Sequence, residues 1–420
     1  MNAYDTGAII SLLEERGSVL VGTPEEADCI IVNTCSVREH AEQRAIGRLH
    51  DLSRHTDAAI VVCGCMAQRL GPALLDLVPA VRGVVGTTGY ADLPDAIDKA
   101  LESGARFSVL KGVDEGPGES YAHARPGPVS RYVSITRGCE NYCTYCIVPY
   151  LRGKLRSRDA DSIIREIKSL VSVGAKEVTL LGQNVIAYRH GHLDFTGLVD
   201  RILGETAVTR LRFLTSHPRD IGTAVFKIMA REPRLCSHVH LPVQSGSNRI
   251  LRMMNRGYTR EDYLETIRAA REIAPGIGLT TDIIVGFPSE SDSEFHDTLD
   301  LVRAVRFDSA FTFQYSARNG TAASAYPDDV PWTTKRERLH VLNAAVQAER
   351  ANILSAELGR EVEILLDGTA QKGEYRFLRG RTPQFRNVIV PRGDLREGDI
   401  VRVILKRLAN YTFVGEPAAP

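Results

Sequence analysis

The 420-residue sequence has no excess of either charge, since 52 lysines and arginines balance 52 aspartates and glutamates. Bulk electrostatic attraction to nucleic acid is thereby excluded, although a local basic surface is not. No apolar run approaches the ~18 residues that a membrane span needs. The start, Met1-Asn2-Ala3-Tyr4-Asp5, has neither the basic residues nor the apolar stretch of a secretory signal, which points to the cytoplasm. There is no internal repeat and no low-complexity segment. Nothing reads as a coiled coil, which favours a monomer. What remains is ordinary globular composition, 43% hydrophobic and 25% charged, at a length suggesting about two to four domains.

Apolar periodicity predicts an α/β protein in three folded parts. Residues 1–105 alternate helical patterns with short apolar runs at 29–32 and 59–62, the pattern of a flavodoxin-like parallel sheet. Residues 106–130, with Gly116-Pro117-Gly118 and Arg125-Pro126-Gly127-Pro128, read as a linker. Residues 131–354 carry six strand–helix units, with strands expected at 132–136, 177–181, 210–215, 238–242, 278–285 and 309–315. Six units predict a partial (β/α)6 barrel rather than full eight-stranded closure. Residues 355–418 change to short strands, expected at 362–366, 376–381, 387–390 and 400–405. These predict a small β-barrel.

The eight cysteines carry the chemistry. In a reducing compartment clustered thiols point to metal or redox work rather than to disulfides. Cys139, Cys143 and Cys146 fall in the loop after the first barrel strand, spaced four and three residues apart. Three thiolates can hold three corners of a cubane iron–sulfur cluster and leave the fourth iron open. The alternative is a zinc site completed by a distant histidine. Other polar residues fall at the strand ends, where a βα barrel builds its site. Gly182, Gln183 and Asn184 follow the second strand, Ser216 the third, Gln244 and Ser245 the fourth, and Asp282 belongs to the fifth. They are candidates for binding a cofactor, with loop capping as the alternative.

The C-x₃-C-x₂-C spacing resembles the radical S-adenosylmethionine (SAM) superfamily. That resemblance implies a [4Fe-4S] cluster on Cys139, Cys143 and Cys146, whose open iron chelates the methionine end of SAM. One-electron reduction then yields a 5′-deoxyadenosyl radical, with Tyr145 near the adenine. Further stretches, Asn33–Glu39, Gly64–Arg69, Gly182–Val185, Ser216–Asp220, Leu241–Ser247 and Tyr315–Thr321, resemble the MiaB family of tRNA methylthiotransferases. The resemblance covers nearly the whole chain and makes the C-terminal barrel similar to a TRAM domain. It implies a second, auxiliary [4Fe-4S] cluster on three N-terminal cysteines. Cys35 and Cys65 match two of them, and both follow apolar strands. Met1-Asn2 matches the end of the third motif, so its cysteine is expected two positions upstream, with a first strand missing; Cys63 is a possible substitute. Cys29 and Cys236 read as core.

Two basic strips suggest RNA contact. Arg152, Lys154, Arg156 and Arg158 follow the cluster loop, while Lys372, Arg376, Arg379, Arg381 and Arg386 lie on the C-terminal barrel, with Tyr375, Phe377 and Phe385 as stacking candidates. The alternative is a solvated charged face. The resemblance implies a partner tRNA bearing N6-isopentenyladenosine at position 37, which is 2-methylthiolated using SAM, an electron donor and a sulfur source. The alternatives are a sibling enzyme acting on threonylcarbamoyl-adenosine or a ribosomal-protein aspartate, and an RNA-binding iron–sulfur protein without sulfur transfer.

Overall fold

The computed structural model describes residues 1–36, 39–113, 125, 127–372 and 375–418. Val37, Arg38, Gly116-Pro117-Gly118 and Pro126 therefore lie outside the described residues, as do the side chains of Lys372, Tyr375 and Arg376. In the N-terminal part, strands β1 (Cys29–Thr34), β2 (Ala59–Gly64), β3 (Val81–Val85) and β4 (Phe107–Val109) form one parallel sheet in sequential order. Alternation of side chains gives the sheet two apolar faces. Ile60, Val62 and Val84 pack with Leu49 and Leu52 of α2 (Glu39–His55). Val61, Cys63 and Val85 pack with Ile9 of α1 (Asn2–Glu14) and Ile97 of α4 (Leu93–Ser103), α3 being Cys65–Leu70. Thr34 is paired with Gly64, so β1 and β2 end side by side.

The central part is an open arc of six parallel strands. Here β5 (Ser130–Ser134), β6 (Glu177–Leu181) and β7 (Arg210–Phe213) form one sheet, and β8 (His238–His240), β9 (Gly278–Val285) and β10 (Ser309–Gln314) form the other. Backbone bonds from Leu211 N to Arg234 O (2.7 Å) and Ser216 N to His240 O (3.3 Å) cross the seam. Helices cover the convex side, where Val133, Val178, Leu180, Leu211 and Ile283 are fully buried in the main core. The alternate residues, among them Arg212, His240 and Asp282, face the concave side. Four strands end one or two residues earlier than the periodicity predicts. Thr215 has φ 71°, a left-handed conformation that halts the extended run past β7.

The C-terminal barrel has five strands, not the four expected. They are β11 (Glu361–Lys372), β12 (Tyr375–Arg381), β13 (Asn387–Pro391), β14 (Ile400–Ala409) and β15 (Thr412–Pro417), closed in the order 11-12-13-15-14. Between β14 and β15, Asn410 (φ 46°) and Tyr411 (φ 62°) make a two-residue turn with both residues left-handed, the hairpin connection whose twist suits paired strands.

A loop of this barrel plugs the lower, N-terminal mouth of the arc. Arg212 donates to the carbonyls of Thr382 (2.7 Å) and Pro383 (2.8 Å) and is ion-paired with Glu177 (2.6 Å). Phe385 stacks on His238 at 4.9 Å between ring centroids, with the Arg212 guanidinium over its face. Phe385 is thus a docking wedge rather than a stacking surface for bases. Its neighbour Arg386 is paired with Asp308 (2.8 Å) and Glu357 (3.2 Å), so it too belongs to the joint.

Burial, with Arg212 and His240 nearby, holds the His238 imidazole well below its ordinary value and hence neutral. Below pH 6.5 the unfolded chain binds a proton at this position that the native chain refuses, so stability falls with falling pH. Between pH 7.5 and 5.5 this one group is expected to cost about 1.4 kcal/mol. Thermal unfolding of a His238→Gln variant at the two pH values checks it, since the pH dependence should flatten by that amount.

Candidate iron–sulfur and cofactor site

The cysteine loop leaves the barrel at Thr136-Arg137 and is fastened on every side. Gly138 has φ 80°, and a Cβ there would lie 2.0 Å from Lys154 O, so only glycine lets the loop close on itself. The Gly138 amide donates to Gln183 Oε1 (2.7 Å), and the Cys139 amide to Gly153 O (3.1 Å). Thr144 bonds through its amide to Met254 O (3.1 Å) and through its hydroxyl to Met253 O (2.9 Å), while its carbonyl accepts from Ala323 N (2.8 Å). Burial raises the Cys139 thiol and pushes Cys146 up to about 12, with Cys143 adding to the latter. Left alone these thiols keep their protons. A bound metal centre is what makes them thiolates.

Arg256 is the residue that sequence reasoning missed. It is buried, and donates to Cys143 Sγ (3.3 Å), Tyr145 Oη (3.4 Å), Tyr258 Oη (3.0 Å) and Pro242 O (2.7 Å). A cationic donor at a thiolate is a charge-assisted bond of the stronger kind. Its detectable trace was the turn around it, where Asn255 (φ 56°) and Gly257 (φ 69°) flank the arginine. Asn255 Nδ2 also donates to the carbonyls of Asn141 and Tyr142, both at 3.1 Å, and Arg219 to Asn141 Oδ1 at 2.5 Å.

Around this loop the strand ends present polar atoms that the protein leaves unpartnered. Asn184 Oδ1, Ser216 Oγ, His217 Nε2 and Gln244 Oε1 are buried without a hydrogen-bond partner. Buried polar groups are normally satisfied, so four orphans at neighbouring strand ends mark a site shaped for a polar ligand. Burial and the cations Arg256 and Arg219 depress His217 to about 2, so it stays neutral. Thr215 (φ 71°) and Gln244 (φ 72°) both sit in the left-handed region, strain worth roughly 1–3 kcal/mol each. Asp282 lies on the concave wall, 3.4 Å from His240 Nε2. Tyr145 packs beside Ile250, Phe287 and Tyr315, and burial keeps its phenol well above the ordinary value.

Three of the expected contact residues also have structural engagements. Gly182 is where β6 passes close to the cysteine strand, since a Cβ there would lie 1.9 Å from Thr136 Oγ1. Gln183 is engaged with Gly138. Ser245 is fully buried and accepts from Ser247 N (3.2 Å). Among the described residues no three His, Cys, Asp or Glu side chains converge as a shell for one metal ion.

A second thiol site lies at the adjoining ends of β1 and β2. Gly64 (φ 94°) lets these ends touch, since a Cβ there would lie 2.5 Å from Thr34 O, and the next residues are Cys35 and Cys65. Arg152, expected to bind RNA, is buried here. It donates to Cys65 Sγ (3.3 Å) and pairs with Asp5 (2.9 Å), which also pairs with Arg137 (2.8 Å). Burial alone would raise the Asp5 carboxyl, but Arg152 and Arg137 hold it below the usual carboxylate range. Arg152 Nη1, Ser36 Oγ and Asn33 Oδ1 are buried without partners, and the first two, which can donate, suit an anionic sulfur-rich group. Cys63 faces the opposite side of the sheet, within the α1–α4 cluster, so it does not stand in as a ligand. Burial, with Cys29 nearby, drives its thiol upward. Cys29 packs against that same cluster, and Cys236 is buried beside the Arg212–Glu177 pair.

The rest of the basic strips divides. Arg158 is mostly buried, donating to Ser134 O (2.6 Å), Glu166 (2.7 Å) and Tyr4 Oη (3.0 Å), so it joins two domains rather than meeting RNA. Arg156 reaches Val113 O (2.8 Å), and Lys154 is exposed. On the small barrel Arg379 is half-exposed, and both it and Arg381 bridge to Asp367.

Comparison with known proteins agrees with this anatomy. Residues 133–302 match the Radical SAM superfamily, and residues 1–86 match "Uncharacterized protein family UPF0004". Curated relatives include tRNA-2-methylthio-N(6)-dimethylallyladenosine synthases from Moorella thermoacetica, 43% identical over 99% of this chain and 96% of the relative, and from Bacteroides thetaiotaomicron, 42% identical over 99% and 93%. Among solved structures, the radical SAM methyltransferase TsrM from Kitasatospora setae superposes with a TM-score of 0.54 at 16% identity, over 70% of this chain and 66% of that one, a likeness of fold alone.

Proposed function

The chain belongs to the MiaB family of tRNA-2-methylthio-N6-dimethylallyladenosine synthases, and from that premise we propose which of its residues do the work. It is a radical SAM methylthiotransferase using two [4Fe-4S] clusters and SAM. Its substrate is the N6-isopentenyladenosine at tRNA position 37, and its product the 2-methylthio derivative. Cys139, Cys143 and Cys146 hold the SAM-binding cluster, and Cys35 and Cys65 are ligands of the auxiliary one. A cluster held there would supply the one-electron chemistry that the C2–H bond, which has no acidic proton to abstract, requires.

Everything else falls to the chain. Arg256 keeps Cys143 oriented and compensates its charge. The orphaned Ser216, Gln244 and Asn184 atoms take the polar groups of SAM, and Asp282 its ribose. Tyr145 lies along the adenine. The plug on Arg212 and His238 closes the lower mouth and keeps water from the reacting centre. Among the described residues of these strips, the exposed Lys154 and the half-exposed Arg379 are the cations best placed to meet phosphate, with Arg381 beside the latter. An external reductant and sulfur source serve a monomer in the cytoplasm. The observation that carries this reading is the fastened three-cysteine loop facing unpartnered polar atoms.

The test is anaerobic reconstitution with iron and sulfide, followed by SAM, dithionite and isopentenylated tRNA. Digestion and mass spectrometry should find 2-methylthio-N6-isopentenyladenosine together with 5′-deoxyadenosine. SAM cleavage without the methylthio nucleoside would instead favour an RNA-binding protein that lacks sulfur transfer.

A further inference from the structure

Among the described residues, the exposed large aromatic side chains are Tyr132, Tyr142, Tyr150, Phe311 and Trp332. None lies in the N-terminal sheet domain or the small barrel. Tyr132 and Phe311 are on the first and last strands of the arc, while the other three stand on the rim where the cysteine loop sits. Tyr142 lies between two cluster cysteines, 45% exposed, with φ 43°, a conformation costly for a bulky residue and held by Asn255 on its carbonyl. Its ring meets Tyr150, 47% exposed, edge to face at 6.2 Å.

Trp332 opens the long helix Trp332–Ser355 at the same end of the arc. Three residues on, Lys335 donates to Tyr315 O (3.5 Å) beyond β10 and packs over Gly286 beyond β9. Trp332 is 62% exposed, with the Arg336 guanidinium stacked 4.8 Å from its ring. Exposed aromatic surface gathered in one region marks a binding face. Arg219 and Lys154 add cations near the tyrosines, against one exposed acid in the loop, Glu140.

We propose that Tyr142, Tyr150 and Trp332 form a stacking rim for the nucleobases that flank the target adenosine. The inference rests on the tRNA-modifying function above. An adenosine drawn out of its loop to reach the SAM site leaves its neighbours without a stacking partner. Flat rings at the rim replace that partner, as single-stranded RNA is commonly held. Stacking on aromatics is worth roughly 1–3 kcal/mol per base, so each alanine variant should weaken RNA binding about 5- to 150-fold.

The experiment measures binding of a fluorescein-labelled anticodon stem-loop carrying N6-isopentenyladenosine to the reconstituted full chain, by anisotropy at several salt concentrations. Tyr142→Ala, Tyr150→Ala and Trp332→Ala should each lose affinity at unchanged salt slope and iron content. Tyr142→Phe, Tyr150→Phe and Trp332→Phe should keep it within about twofold, since the ring face survives. Trp332 is the only tryptophan, so its fluorescence should also be quenched at saturating RNA. Alanine variants that bind like the parent, or a loss shared by the phenylalanine variants, overturn the proposal. So do variants that bind RNA normally but accept electrons from reduced flavodoxin more slowly, which would make the rim a reductase dock. A parent chain that fails to bind the stem-loop overturns the functional reading itself, and this rim with it.

Discussion

Replacing Cys143 with alanine is expected to remove about four irons per chain, the content of one cubane cluster, and to bring reductive SAM cleavage down to background. Three thiolates are the fewest that hold such a cluster with one iron open. Losing one exposes a second iron and frees Arg256, whose Nη1 loses its sulfur partner inside a buried pocket. Iron counting and 5′-deoxyadenosine formation read the result. Cys236→Ala is the matched control. That thiol is equally buried but packs at the foot of β8, so iron content should stay as in the parent. A Cys143→Ala protein with full iron and full SAM cleavage would remove this loop from the mechanism.

The second large effect is expected at Arg152. Arg152→Gln leaves Asp5, which is completely buried, with Arg137 alone, and it strips the donor from Cys65 Sγ. Breaking a buried pair from one side typically costs about 3–5 kcal/mol, because the remaining charge is left uncompensated. The same residue ends the short helix α5 (Val148–Arg152), whose Leu151 carbonyl accepts from Thr87 Oγ1 at 2.6 Å, so the loss falls on the joint between the sheet domain and the arc. Limited proteolysis should release the N-terminal domain, and the melting temperature should fall by several degrees. RNA affinity extrapolated to the folded fraction should keep its salt slope, because no phosphate contact is lost. Lys154→Ala should instead lower that slope by about one. A slope change in Arg152→Gln matching that of Lys154→Ala would return Arg152 to the RNA surface.

Much of the site was legible in the linear order because its chemistry is local. The spacing of Cys139, Cys143 and Cys146 fits one loop, and the βα periodicity put that loop and the Ser216 and Gln244 turns on one rim. Cys35 and Cys65 were legible for the same reason, each standing just past an apolar run. The fifth barrel strand escaped because its turn, Asn410-Tyr411, carries no glycine or proline to announce it.

The sequence by itself determined the class of chemistry, the number of βα units and the placement of three cysteines on one loop, because each depends on residues close in the chain. Only the tertiary structure decided which cations are available to a ligand. Arg152 and Arg158 look like neighbours of Lys154 in a basic strip, yet they turn inward to Asp5 and Glu166, residues 147 and 8 positions away. Arg256 lies 113 residues from the cysteine it supports, and Phe385 is wedged against a histidine at the far mouth of the arc. A charge or ring takes its role from whichever partner folding brings within a few ångströms, and no local pattern encodes that partner.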